Sequence, residues 1–185
     1  MDALIDFKHI EDRRMANVLI LNGAAKKDGN TAALIHAFTE GAVNAGNHVQ
    51  EFYLQDMEIH GCLGCDECDN APAGMEHPCV QKDDMVQINQ AFMRADVVVF
   101  ASPLYFWTIS GTLKIATDRL YAQLQSRGYG KFPRKSVLLM TAGGSDYSQA
   151  VRWYETFERN LGWKNLGEVL GAGKIKEAKQ IGMKI

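Results

Sequence analysis

No apolar run in the 185-residue chain approaches the ~20 residues that a membrane-spanning helix requires; the longest of strand type is Val97 to Ala101. Met1 to Ile10 is broken by Asp2, Asp6 and Lys8, so neither a secretory signal nor an anchor is expected. An excess of charge of one sign is also missing. Twenty Lys and Arg stand against 22 Asp and Glu, a net of −2, with no basic block. That excludes a duty built on neutralising phosphate backbones, and with it nucleic acid as an expected partner. Cysteine is absent outside residues 62–79, unlike the spread framework of a secreted disulfide scaffold, so thiols in a reducing cytoplasm are expected. Internal repeats and low-complexity linkers are lacking too. What remains is an ordinary composition, 46% hydrophobic, with enough apolar material for the core of one globular domain.

The periodicity alternates. Asn17–Leu21 reads as a buried strand, and Thr31–Ala45 as a helix whose core face carries Leu34, Phe38, Ala42 and Ala45. His48–Leu54 is a second strand and Asp84–Ala95 a helix. Val97–Ala101 is a strand so apolar that both its faces must be covered. Thr112–Gln125 is helical through Leu113, Ala116, Leu120 and Leu124; Ser136–Thr141 is a strand, Gln149–Leu161 a helix and Glu168–Gly171 a short fifth strand. Residues 174–185 read as one more short helix. Five strands alternating with helices predict a doubly wound three-layer α/β sandwich with a parallel sheet. Two segments stand apart: residues 1–15, an extension ahead of the first strand, and residues 55–82, an aperiodic insertion holding every cysteine with Pro72 and Pro78. An aperiodic stretch of that length inside a compact domain is usually functional.

Ligands of open α/β sheets bind outside the carboxyl ends of the strands. The first such loop, Asn22 to Thr31, has two glycines, two lysines and Asn30-Thr31 as caps of a helix start, which suits a phosphate; a well-capped turn is the plainer reading. It is neither a Walker loop nor G-x-G-x-x-G. The loop after the third strand sets Tyr105, Phe106 and Trp107 in a row, suited to stacking beside a flat ring or to covering a core or subunit interface. The loop after the fourth, Thr141 to Ser145, is made of small residues that let something approach the backbone.

Taken together, N-G-x(5)-G-N-T after the first strand, S-P-L-Y-F-W with S-G-x-L-K-x-x-x-D-R after the third, and T-A-G-G after the fourth resemble the flavodoxin-like NAD(P)H-dependent FMN reductase family over about residues 16–172. The resemblance implies a five-stranded parallel sheet of order 2-1-3-4-5 that binds FMN. The phosphate would lie against Ala24, Lys26, Asn30 and Thr31, the isoalloxazine against Pro103, Leu104, Tyr105, Phe106 and Trp107, and its far edge against Ala142, Gly143 and Gly144. The family often has a hydroxyl residue where Ala24 stands, so one phosphate hydrogen bond is expected to be missing. Lys114, Asp118 and Arg119 also follow the family pattern, and a solvated helical salt bridge accounts for them equally well.

The spacing Cys62-x2-Cys65-x2-Cys68-x10-Cys79 resembles the compact cysteine pattern of the iron-sulfur flavoproteins, which implies a [4Fe-4S] cluster near FMN and a homodimer or homotetramer. Three closely spaced thiolates on one loop, with a fourth from a return of the chain, suit neighbouring corners of one cluster. The ten-residue gap before Cys79 is longer than the usual pattern, and free thiols are the alternative. Zinc is less natural, because structural zinc sites usually use two separated pairs. His36, His48, His60 and His77 form no Ser-His-Asp arrangement; no catalytic side chain is assigned and none is needed, since the flavin itself accepts hydride. The resemblance therefore implies an FMN-dependent NAD(P)H oxidoreductase passing electrons to a quinone, a flavin or another small acceptor. Two alternatives stay open: an iron-sulfur flavoprotein exchanging electrons with ferredoxin-like partners, and a non-catalytic flavodoxin-type carrier. Pure carriers of this fold are commonly more acidic than this chain.

Overall fold

Val97–Pro103 (β3) is buried at every position through Ser102, and it reaches that state by pairing in parallel on both edges, with Asn17–Asn22 (β1) and with Lys135–Thr141 (β4). His48–Tyr53 (β2) adds to β1 and Lys164–Leu170 (β5) adds to β4, so the sheet runs β2-β1-β3-β4-β5 with all neighbours parallel. A computed structural model describes residues 15–128 and 130–185 of the chain; the extension expected at residues 1–15 lies, apart from Met15, outside them.

Because side chains alternate along a strand, each central strand feeds two cores. Val18, Ile20, Val97, Val99, Val137 and Leu139 point to one face, where Asn30–Asn44 (α1) and Ile175–Gly182 (α6) cover them. Leu19, Leu21, Val98, Phe100, Leu138 and Met140 point to the other, under Met85–Arg94 (α2), Gly111–Arg119 (α3), Tyr121–Arg127 (α4) and Ser148–Leu161 (α5). On that face Phe100 meets Tyr154, Phe157 and Trp163 with ring centroids 5.4–6.3 Å apart.

Three details depart from the sequence reading. The helix expected over Thr112–Gln125 is two, broken at Leu120, although no proline or glycine stands there. The break lies between two side chains that hold the insertion: Arg119 donates to the carbonyl of His60, and Gln123 donates to that of Glu76. Apolar spacing runs through both helices and so hides the break. The fifth strand begins at Lys164 rather than Glu168; its first half is polar, sits at the sheet edge and passes through a register shift opposite Ser136 and Leu138. Finally, the cap of α1 is Gly29, without a side-chain bond, and Asn30 and Thr31 are its first helical residues. The insertion between Leu54 and α2 does lack regular structure beyond two short 3₁₀ turns, Leu54–Asp56 and Glu67–Asp69.

Helices α1 and α6 touch backbone to backbone. A Cβ on Gly182 would stand 2.1 Å from the carbonyl oxygen of Phe38, and one on Gly41 would stand 2.2 Å from that of Lys179. Neither contact can yield without separating the helices. Gly41→Ala is therefore expected to lower the free energy of unfolding by about 1–3 kcal/mol, as overpacking does. Urea denaturation checks it, and a variant as stable as the parent would refute so close a contact.

Candidate functional site

The strand order reverses between β1 and β3, and the carboxyl ends of β1, β3 and β4 open there into a cleft of about 270 Å³. Asn22, the last residue of β1 and almost wholly buried, shapes the first wall. Its Oδ1 accepts from the backbone N–H of Ala24 at 2.9 Å, and its Nδ2 donates to Glu51 of β2 at 2.7 Å, which turns the loop sharply over the strand end. Gly23 then passes so close to α3 that a Cβ there would lie 2.6 Å from Ser110 Oγ. The loop delivers its chain to α1, whose first turn carries no acidic residue and whose cap offers no side-chain acceptor. The first N–H groups of the helix and its positive dipole end are thereby left for a ligand.

The second wall follows β3. Tyr105 and Thr108 exchange backbone hydrogen bonds of 2.9 and 3.1 Å, closing a two-residue turn through Phe106 and Trp107. Both central residues take positive φ, +45° and +64°. That is the geometry glycine and asparagine usually supply, so the turn holds backbone strain of roughly 1–3 kcal/mol per residue. Phe106 is 91% exposed, with Tyr105 and Trp107 about half so. The third wall is the loop after β4, tied to the others by Leu104 N–H on the Thr141 carbonyl at 2.8 Å and by a 2.7 Å bond between the buried hydroxyls of Thr31 and Thr141.

Nine of the twelve residues expected at a flavin line this cleft: Ala24, Lys26, Asn30, Thr31, Pro103, Leu104, Tyr105, Ala142 and Gly143. The other three, Phe106, Trp107 and Gly144, line its open continuation of about 660 Å³, which shares Leu104, Tyr105, Ala142 and Gly143. Thr31 does not cap its helix; its hydroxyl is engaged by Thr141. Sequence reasoning missed Asn22, Glu51 and the hydroxyl of Thr141. An asparagine ending a buried strand just before glycine was the visible signal for the first, whereas nothing local marks Glu51 as its partner.

The four cysteines all line one small cleft at the start of α4, together with Arg119 and Tyr121. All four are free thiols, with Cys62 and Cys65 exposed and Cys68 and Cys79 partly covered. Among the described residues no group of three or more His, Cys, Asp or Glu side chains is arranged to hold a metal ion. The donors thus suit a cluster in kind and number, but the side chains as placed do not converge on one. Burial, with the adjacent Asp69 carboxylate, pushes the Cys68 thiol up. Lys114 and Asp118 form only an exposed pair one helical turn apart, 2.6 Å across, of the kind that contributes little.

The family described as NADPH-dependent FMN reductase matches residues 16–161. An iron-sulfur flavoprotein of Archaeoglobus fulgidus is 32% identical over 55% of this chain and 47% of its own, so the chain spans about half the length of that relative. A second protein of that name from the same organism is 25% identical over 88% of this chain and 76% of its own. Among solved structures, an NAD(P)H:quinone oxidoreductase from Methanothermobacter marburgensis superposes with a TM-score of 0.71 at 23% identity, covering 92% of this chain and 96% of the other, a likeness of fold.

Arg119, which in sequence follows the family pattern or equally a solvated helical salt bridge, is 3% exposed. It forms a fork with Asp83, 2.7 and 3.1 Å, while donating to the His60 carbonyl at 2.7 Å and reaching the Cys79 sulfur at 3.5 Å. Burial pushes the Asp83 carboxyl up, but the hydrogen bonds from Arg119 and the His60 N–H outweigh it and hold the group below its usual range. A carboxyl depressed in the fold stabilises it above the ordinary carboxylate pKa and stops doing so as pH falls through the folded value. Arg119→Met, which leaves Asp83 buried with only backbone N–H partners and no countercharge from arginine, is expected to cost about 3–5 kcal/mol at pH 7. The difference from the parent should shrink below about pH 4. Urea unfolding at pH 7 and pH 3 measures both, and a loss equal at the two pH values would contradict an ionised fork.

Proposed function

Since the chain belongs to the NADPH-dependent FMN reductase family, we propose that it is an FMN-dependent oxidoreductase taking hydride from NADH or NADPH and delivering electrons to a quinone, a flavin or another small acceptor. The observation that carries this reading is the single cleft joining an anion-ready helix start to an aromatic, open end. The residues fit the cofactor. Lys26 and the first N–H groups of α1 would hold the phosphate, with no carboxylate in that turn to oppose it. Asn22, by fixing the Ala24 N–H, keeps the loop in the shape a phosphate meets. Pro103 to Trp107 would flank one side of a flat ring, and the small side chains of Ala142 to Gly144 would let its edge approach the backbone. FMN supplies the hydride-accepting chemistry when bound, which leaves the protein the work of positioning and of excluding water.

The exposed aromatic turn at the lip of the cleft is a contiguous apolar surface of the kind that marks an interaction site. A symmetric homodimer or homotetramer that covers it is part of this reading, and a monomeric mass at micromolar concentration would count against it. A second reading, the iron-sulfur flavoprotein, draws on the four thiols around one cleft and on the name of the relatives. Residues 55–84 there carry eight acidic side chains against one lysine, so a protein partner docking on that segment would need basic surroundings around its redox centre.

Lys26→Ala combined with Thr31→Ala is expected to weaken FMN by roughly ten- to hundredfold, the worth of a charge-assisted hydrogen bond of about 1.5–3 kcal/mol. Riboflavin, which lacks the phosphate, should be affected far less. Fluorescence titration with both ligands decides; equal losses would contradict the placement. For the second reading, anaerobic reconstitution should bring about four irons per chain. Replacing any one of Cys62, Cys65, Cys68 or Cys79 by Ala should abolish that iron while FMN stays bound. A chain that takes up no iron under those conditions is a plain FMN reductase.

A further inference from the structure

The two ends of the cleft differ in charge. The phosphate end has Lys26 in its wall, whereas the open end, among its described lining residues, has one charged side chain, Asp146. Apart from it, that end is aromatic, aliphatic or small. Building on the FMN reading, we infer that Asp146 selects the electron acceptor by charge, admitting neutral or cationic flat oxidants and turning anionic ones away.

The carboxylate is exposed and hydrogen-bonded to the start of α5. Its Oδ1 accepts from the Ser148 N–H at 3.0 Å at the start of α5. That bond, and a second from the Ser148 hydroxyl, hold the group below its usual range. The fold needs an acceptor oxygen at this position, and an asparagine would supply one equally well. Asp and Asn serve that bond alike, and the charge that the carboxylate alone adds stands among the residues lining the open end. Asp146 also lines the adjoining depression, together with Tyr147 and Ser148.

The electron balance is simple. Each NADPH oxidised to NADP⁺ yields a hydride; a benzoquinone takes it with one proton from water and becomes hydroquinone, whereas two ferricyanide ions take one electron each and a proton is released. Both oxidants draw on the same reduced enzyme, and they differ in charge. Asp146→Asn keeps the bond to Ser148 and removes the charge. With the full chain saturated with FMN at low ionic strength, the ratio of kcat/KM for ferricyanide to that for 1,4-benzoquinone should rise by roughly three- to tenfold, the effect of one charge on a trivalent anion about 10 Å away in water. Asp146→Lys should raise it further. In about 1 M salt, where the screening length is about 3 Å, parent and variants should converge. An unchanged ratio in both variants with FMN bound would overturn the inference and leave the FMN reading standing. A parent chain that binds no FMN would overturn that reading, and this inference with it.

Discussion

Val97 to Ala101 offer apolar side chains on both sides of one strand, and burying both sides forces the rest of the architecture. A strand covered on two faces must lie inside a sheet, and parallel neighbours must be reached by helices that cross over it. Once β1 and β4 flank β3, the crossovers α1 and α2 leave toward opposite faces, and the chain opens a crevice between the ends of β1 and β3. The loops that make the cleft wall are consequences of that one burial.

Two kinds of bond then finish the structure, and they differ in where they come from. The cleft is tied by short polar contacts, Asn22 to Ala24 and Glu51 and Thr31 to Thr141, close to strand ends already fixed by the sheet. The insertion has no sheet to lean on. It is held instead by separate bonds: the buried fork of Arg119 and Asp83, Gln123 on the Glu76 carbonyl, Tyr121 on Asp69, and backbone bonds from Gly74 to Ser126 and from Asp84 to Glu58. The arginine is the last residue of α3 and also reaches the Cys79 sulfur.

Much of this was legible in the chain. Alternating apolar periods gave five strands and their helices, and the loops at three strand ends pointed to the residues that line the cleft. The rest was not legible for particular reasons. The break at Leu120 carries no turn residue, and Arg119 is indistinguishable in sequence from a solvated helix charge. The edge strand β5 is half polar, so only its second half showed. The turn at Phe106 and Trp107 lacks the glycine or asparagine that normally marks positive φ, so its shape is imposed by the loop around it. The cysteine spacing named candidate ligands, but spacing says nothing of whether four sulfurs point to one spot.

That strained turn also gives the molecule a built-in optical reporter. Of the three tryptophans, Trp163 is buried against Phe92 and Phe100, and Trp153 packs partly covered beside Phe157 on the same face. Trp107 alone borders the open end of the cleft, 55% exposed. Its emission belongs at longer wavelength than that of the other two, and a flat chromophore seated beside it would quench that red component first.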